Sequence, residues 1–135
     1  MNNNRRQVIY NPLVYSKNGY TTNFESFEKA VKNGVKLFIL CNPHNPVGRV
    51  WQRAELQTMA EICISNGVTI VTDEIHANLI FSPHKHIPLA SISPEIASKT
   101  VGFGSASKSF NIAGLTSAYA IIESNSLLEQ YNKQL

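Results

Sequence analysis

Two short apolar runs with a helix-length segment between them restrict this chain more than any other feature. Lys36-Leu37-Phe38-Ile39-Leu40-Cys41 stops at Asn42-Pro43, and Val68-Thr69-Ile70-Val71-Thr72, β-branched throughout, closes at Asp73. Each is too short for a stable helix and neither alternates apolar with charged residues, the pattern of a strand buried on both faces. Residues 53–66 place Leu56, Met59, Ala60 and Cys63 at helical spacing and end at Asn66-Gly67. Strand, helix, strand is the βαβ unit, which forces parallel strands and a right-handed crossover. The predicted class is therefore α/β, a mostly parallel sheet flanked by helices.

The remaining segments fit that frame. Asn23 can cap a helix running to about Asn33, with Phe24, Phe27 and Val31 on one face and Gly34 ending it. Val8-Ile9-Tyr10 is a short apolar segment running into Asn11-Pro12. The stretch 99–103 reads as a third strand, 116–122 as a fourth and 125–135 as a closing helix, after a turn rich in His and Pro at 82–88. Trp51, Phe38 and Phe81 are assigned to core or interface packing. With 135 residues, 43% hydrophobic and 16% charged, the composition suits one soluble globular unit.

Several function classes drop out. The net charge is only +3 and Arg5-Arg6, the densest basic run, lies in a polar Asn-rich start, so no nucleic-acid partner is expected. No apolar run approaches the ~20 residues that span a bilayer, and the N-terminus lacks the apolar core of a signal peptide. Cys41 and Cys63 have no metal-type spacing and read as reduced thiols, which points to the cytoplasm. His84 and His86 invite a metal reading with His76, but no ordered set of further ligands accompanies them, so no metal is expected.

In open sheets of parallel strands, ligands bind beyond the carboxyl ends of the strands. Asn45, Asp73 and Lys108 all lie at or just past such ends. A lysine in Gly104-Ser105-Ala106-Ser107-Lys108 has small neighbours that let backbone and hydroxyls close around a bulky ligand; otherwise it is a surface loop lysine. Asp73 is either a cap for residues 74–79 or the partner of a buried cation, because an unpaired buried charge is costly. Asn45, in Asn45-Pro46-Val47-Gly48, is either part of a tight turn or a fixed amide donor. His76 falls one helical turn beyond Asp73 and either caps that turn or bonds a ligand oxygen. Glu74 faces solvent or orients a neighbour, and His44 makes local loop bonds. An amine, a carboxylate and an amide at neighbouring strand ends are what pyridoxal phosphate (PLP) requires: a Schiff-base lysine and a carboxylate facing the pyridine nitrogen. Ser105-Ala106-Ser107-Lys108 also matches the Ser-x-x-Lys of β-lactamases, but the companion Ser-Asp-Asn and Lys-Thr-Gly are missing.

Asn45-Pro46-x-Gly48, Asp73 closing a strand, and Ser105-x-x-Lys108, in that order, resemble the large domain of fold-type I PLP enzymes, the class I/II aminotransferases. Pro43-His44-Asn45-Pro46-Val47-Gly48-Arg49-Val50-Trp51, Asp73-Glu74-Ile75-His76 and Ser107-Lys108-Ser109-Phe110-Asn111-Ile112-Ala113-Gly114-Leu115 look most like the cystathionine β-lyase-like C–S lyase branch. The resemblance implies that Lys108 carries the cofactor as its Schiff base and acts as catalytic base. Asp73 would pair with the pyridine nitrogen, and Asn45, with His76, would bond the 3′ oxygen. Ser105 and Ser107 would contribute to the phosphate cup. Many aminotransferases have Tyr where this chain has His76, and Arg where it has Thr116; both departures favour the lyase branch.

The resemblance further implies β-elimination from a cysteine S-conjugate, releasing pyruvate, ammonia and a thiol, in a homodimeric parent. Aminotransfer is the alternative within the family. Family members are much longer chains, so residues 1–135 would represent the central part of the PLP-binding large domain. On that reading the isolated chain is inactive, and a catalytically silent remnant or interaction module is the alternative outside enzymes.

Overall fold

The computed structural model describes residues 6–134. A hairpin of β1 (Val14–Ser16) and β2 (Gly19–Thr21) precedes α1 (Phe24–Lys32). Then β3 (Leu37–Cys41), α2 (Arg53–Ser65) and β4 (Thr69–Asp73) form the βαβ unit expected from the sequence. A 3-10 turn at Leu89–Ser91 and the short α3 (Pro94–Ala97) lead into β5 (Thr100–Gly104). α4 (Ala106–Ser109), a second 3-10 turn at Ala113–Leu115, β6 (Tyr119–Ile122) and α5 (Asn125–Asn132) complete the chain.

The main sheet has the order β3-β4-β5-β6. β3–β4 and β4–β5 are parallel and β5–β6 is antiparallel. The reversal has a simple cause. A parallel return needs a crossover back to the start of β5, whereas here the chain turns at the end of β5 and re-enters from the same edge. The sheet is thus mixed but mostly parallel.

Local chemistry sets the helix limits. The Asn23 side chain accepts the Ser26 N–H at 3.0 Å, and Gly34 takes a φ of 97° just past the end of α1. At α2 the Gln52 N–H donates to Glu55 Oε2 at 2.9 Å, the returning half of a capping box. Leu56, Met59, Ala60 and Cys63 of α2 are all buried, the set given by their spacing. They meet Leu40 and Ile70 on one face of the sheet, together with Phe27 and Val31 of α1.

The hairpin is a feature that the sequence reading lacks. Its strands are only three residues long and of mixed polarity, so no period shows. Its one signal is Asn18-Gly19, with Gly19 at a φ of 96° closing a turn against Ser16.

β3 corrects the expectation of burial on both faces. Phe38 and Leu40 point to the helices, but Leu37 and Ile39 are 49% and 46% exposed. Register puts Leu37 and Ile39 on the face of Val71 and Phe103. α5 lies on that face at Phe103, through Tyr131 with ring centroids 6.1 Å apart, two strands away from β3. Phe81, assigned to packing, is 89% exposed. Among the described residues no helix is long and apolar enough to cross a membrane.

Burial holds the Cys63 thiol protonated, pushing its pKa up from 9.0 to about 12. The folded state therefore binds this proton more tightly than the unfolded chain. The associated stability is intact below about pH 9 and is lost as pH rises toward about 12. Native chain at pH 8 should leave Cys63 unmodified by a soluble alkylating reagent and expose it only on unfolding, with peptide mass mapping as the readout.

Candidate active site

The strand register aligns the carboxyl ends of three strands. Cys41 pairs with Asp73, and Asp73 with Phe103, so Asp73 stands between the ends of β3 and β5. The ends are also laced by backbone bonds: Asn42 N–H donates to Asp73 O at 3.0 Å and Glu74 N–H to Phe103 O at 2.8 Å. Asn45 lies four residues beyond Cys41, and Lys108 five beyond Phe103. All three candidates leave the sheet from the same edge.

The Asn45 loop is held from beneath. His44 N–H donates to Arg49 O at 2.7 Å and Gly48 N–H to His44 O at 2.8 Å, with Gly48 at a φ of 69° where a side chain would strain the turn. Trp51, 2% exposed, sends its indole N–H to Cys41 O at 3.0 Å. The Arg49 guanidinium lies 4.4 Å from the Trp51 ring and bonds Glu55 and the Tyr20 carbonyl. Asn42 is fully buried, accepting the Trp51 N–H at 3.4 Å and donating to Ile87 O at 3.2 Å. The Cys41 thiol donates to Pro43 O at 3.2 Å, and its sulfur lies 3.5 Å from the Asn45 N–H. Burial raises its pKa, and the nearby Asp73 charge raises it further against the opposing Asn45 bond. This thiol, beside two candidate residues, carries no sequence signal beyond its place at the strand end.

His44 makes local bonds, as its loop position suggests, and its buried Nδ1 has no partner among the described residues. Burial, and then the Arg49 charge, lower its pKa from 6.5. A depressed folded pKa means that stability is present above about pH 6.5 and is lost as pH falls through the lower, folded value. Acid unfolding midpoints should move to lower pH in His44→Gln, which has no ring to protonate; circular dichroism across a pH series checks this.

Asp73 uses one oxygen locally: Oδ1 accepts the Ile75 N–H at 3.2 Å. That bond belongs to a turn rather than to the helix expected over 74–79, since residues 75–78 are turn and Ala77 N–H reaches Glu74 O at 2.9 Å. His76, half-buried in that turn, lines a cleft of about 240 Å³ together with Asn45, His44 and Phe81. Asp73 and Lys108 do not line this cleft, nor a larger groove of about 850 Å³ along β3. Glu74 does not face solvent; its side chain is 15% exposed and bonds to His86. Among the described residues, no three of His, Cys, Asp and Glu gather as metal ligands.

Lys108 is exposed, in the single turn of α4, and forms no ion pair with a described residue. Ser105 caps that turn, its Oγ accepting the Ser107 N–H at 3.0 Å. Ser105 Oγ lies 2.7 Å from Ser107 Oγ and 2.6 Å from Ser117 O, so the two hydroxyls converge on each other and on one carbonyl. To serve a phosphate they must give up that carbonyl. Thr116 holds a left-handed φ of 45°, a strained conformation for a β-branched residue. Gly104 leaves room for the Tyr119 ring, which a Cβ there would meet at 2.3 Å.

The residues present suit PLP: an amine with no ion pair among the described residues, a carboxylate with a second oxygen outside its local bond, and the small residues Gly104 to Ser107 leading into the amine. A mixed sheet of this order, with an amine and a carboxylate leaving adjacent strand ends, is the PLP-dependent transferase fold. Residues 1–135 match the family described as aminotransferase class I and II, and the chain belongs to that family. The family is PLP-dependent.

Its relatives include both activities named above. The chain is 46% identical to cystathionine β-lyase PatB of Bacillus subtilis over 120 residues, 88% of this chain and 31% of that protein. It is 35% identical to kynurenine–oxoglutarate transaminase 3 of Rattus norvegicus over 109 residues, 81% of this chain and 24% of that one. The crystal structure of cystalysin from Treponema denticola, which contains a PLP cofactor, superposes with a TM-score of 0.94 at 36% identity, covering 98% of this chain and 34% of that one. The chain spans about a third of the length of the curated relatives PatB and MalY.

Proposed function

We propose that this chain carries the cofactor-binding residues of a PLP-dependent C–S β-lyase acting on an L-cysteine S-conjugate. The observation that carries the reading is the strand register, Cys41 to Asp73 to Phe103, from whose ends Asn45, Asp73 and Lys108 emerge side by side. The similarity to PatB supports the lyase branch in particular.

In this reading Lys108 would hold the cofactor through its amine, and its Nζ, when free, would take the substrate's α-proton. Asp73 keeps a proton on the ring nitrogen, Asn45 donates its amide to the ring oxygen with His76 beside it, and Ser105 and Ser107 turn their hydroxyls to the phosphate. PLP, when bound, supplies an electron sink for the α-carbon. The net reaction would break the Cα–H and Cβ–S bonds and consume one water, giving pyruvate, ammonia and the thiol. A homodimeric assembly, and a cytoplasmic location in keeping with the two free thiols, belong to the same proposal.

Aminotransfer is the second reading, favoured by the likeness to the rat transaminase. In that case Lys108 would move the α-proton without any C–S bond breaking, and the amino group would pass to a keto acid. Incubation with cystathionine and PLP separates the two. Pyruvate with a free thiol supports the lyase, a keto acid that retains its sulfur supports the transaminase, and neither product marks the chain as catalytically silent by itself.

A further inference from the structure

Glu74 is the most heavily engaged carboxylate at this edge of the sheet. Its Oε1 accepts the Thr72 hydroxyl at 2.9 Å and the Leu89 N–H at 3.2 Å, while Oε2 lies 2.8 Å from His86 Nε2. The side chains of Glu74 and His86 are only 15% and 11% exposed. The backbone N–H of Glu74 reaches Phe103 O, tying β4 to the strand that leads to Lys108. One residue thereby fastens β4, β5, the loop through His86 and the 3-10 turn at Leu89–Ser91 around the peptide of Asp73.

The tautomer follows from the same geometry. A carboxylate only accepts, so His86 Nε2 carries the proton it shares. Nδ1 is buried and has no hydrogen-bond partner among the described residues. A hydrogen on Nδ1 would be an unsatisfied buried donor, so the Nε2 tautomer is the one that the site satisfies. His86 Nε2 thus acts as a fixed N–H donor to Glu74.

We infer that Glu74 and His86 are positioning residues that set the direction of the Asp73 carboxylate. Among the described residues the Asp73 carboxylate accepts only the Ile75 N–H, a bond that closes across the backbone of Glu74. The proposal rests on the reading of Asp73 as the partner of the PLP ring nitrogen, but its first test does not need PLP.

Amide hydrogen exchange on the 135-residue chain without cofactor reads the Ile75 N–H, which reports the Asp73 carboxylate, and the Cys63 N–H as a control for global folding. Glu74→Gln can still accept from Thr72 and Leu89, but its amide forces the His86 proton onto the buried Nδ1. His86→Leu removes the donor outright. In both, Ile75 should exchange about tenfold faster with Cys63 unchanged, while His86→Gln, which keeps an N–H near the Nε2 position, should stay near wild type. PLP titration in a second arm should show half-saturation raised about tenfold in the first two variants and recovered in His86→Gln.

Unchanged Ile75 exchange in Glu74→Gln or His86→Leu would reduce the cluster to a staple for Leu89 and overturn the proposal. His86→Gln behaving like His86→Leu would overturn the donor role. Faster Ile75 exchange with unaltered PLP half-saturation would overturn the link to the cofactor. A wild-type chain that takes up no PLP would count against the PLP reading alone, with the exchange result still deciding the role of Glu74. If one variant fails to fold, as the Cys63 amide would reveal, the other and His86→Gln carry the comparison.

Discussion

In a PLP-loaded full-length parent, Asp73→Asn should retain the cofactor but remove the substrate's α-proton about a hundredfold more slowly, the loss expected if the proposed pairing of Asp73 with the pyridine nitrogen is worth roughly 3 kcal/mol. The amide nearly matches the carboxylate in shape and can still accept the Ile75 N–H, so the turn at 75–78 should persist. What it cannot do is hold a proton on the pyridine nitrogen, and without that charge the ring is a poorer electron sink. Single-turnover loss of the α-deuteron from labelled substrate, followed by NMR, measures the step apart from product release. An unchanged rate would leave Asp73 as a turn-forming residue only.

Trp51→Ala should be the most damaging single substitution for stability, costing about 3–5 kcal/mol, the range for truncating a buried large aromatic. Trp51 is 2% exposed and belongs to the same buried cluster as Leu40, Leu56 and Met59, so its removal opens a cavity in that cluster. It also strands the Cys41 carbonyl, which accepts the indole N–H at 3.0 Å, and frees Arg49. These contacts anchor the loop that bears Asn45, so loosening there should precede global unfolding. Urea denaturation followed by circular dichroism gives the stability loss. A cost below about 1 kcal/mol would mean that the loop can repack without the ring.

What the sequence discloses and what it hides divide along physical lines. β4 is legible because five consecutive residues with β propensity end at a carboxylate, and α2 because its four buried residues fall at helical spacing. With β3 and β5 running parallel to β4, the carboxyl ends of all three strands, and so Asn45, Asp73 and Lys108, share one edge. The exposure of Leu37 and Ile39 is not legible, since an apolar run states what a strand can bury and not which neighbours cover it. The same holds for Phe81.

The Glu74–His86 bond joins residues twelve apart through a loop of irregular backbone, and no periodicity announces such a contact. Asp73 shows a limit of a different kind. Local capping and cofactor pairing are rival readings in the sequence, yet in the fold one oxygen makes the turn bond and the other lies outside it. The serine hydroxyls, which the resemblance assigns to a phosphate, rest on the Ser117 carbonyl, a contact set by the return of the chain into β6.

Identifying the lysine that takes PLP tests the site most directly. The chain is incubated with PLP, reduced with borohydride to make the attachment permanent, digested, and its peptides weighed. The expected result is a single modified peptide containing Lys108, absent from a Lys108→Ala chain that folds normally. Attachment at a different lysine, scattered attachment at exposed lysines that survives Lys108→Ala, or none at saturating PLP would contradict the placement of the cofactor between Asp73 and Lys108.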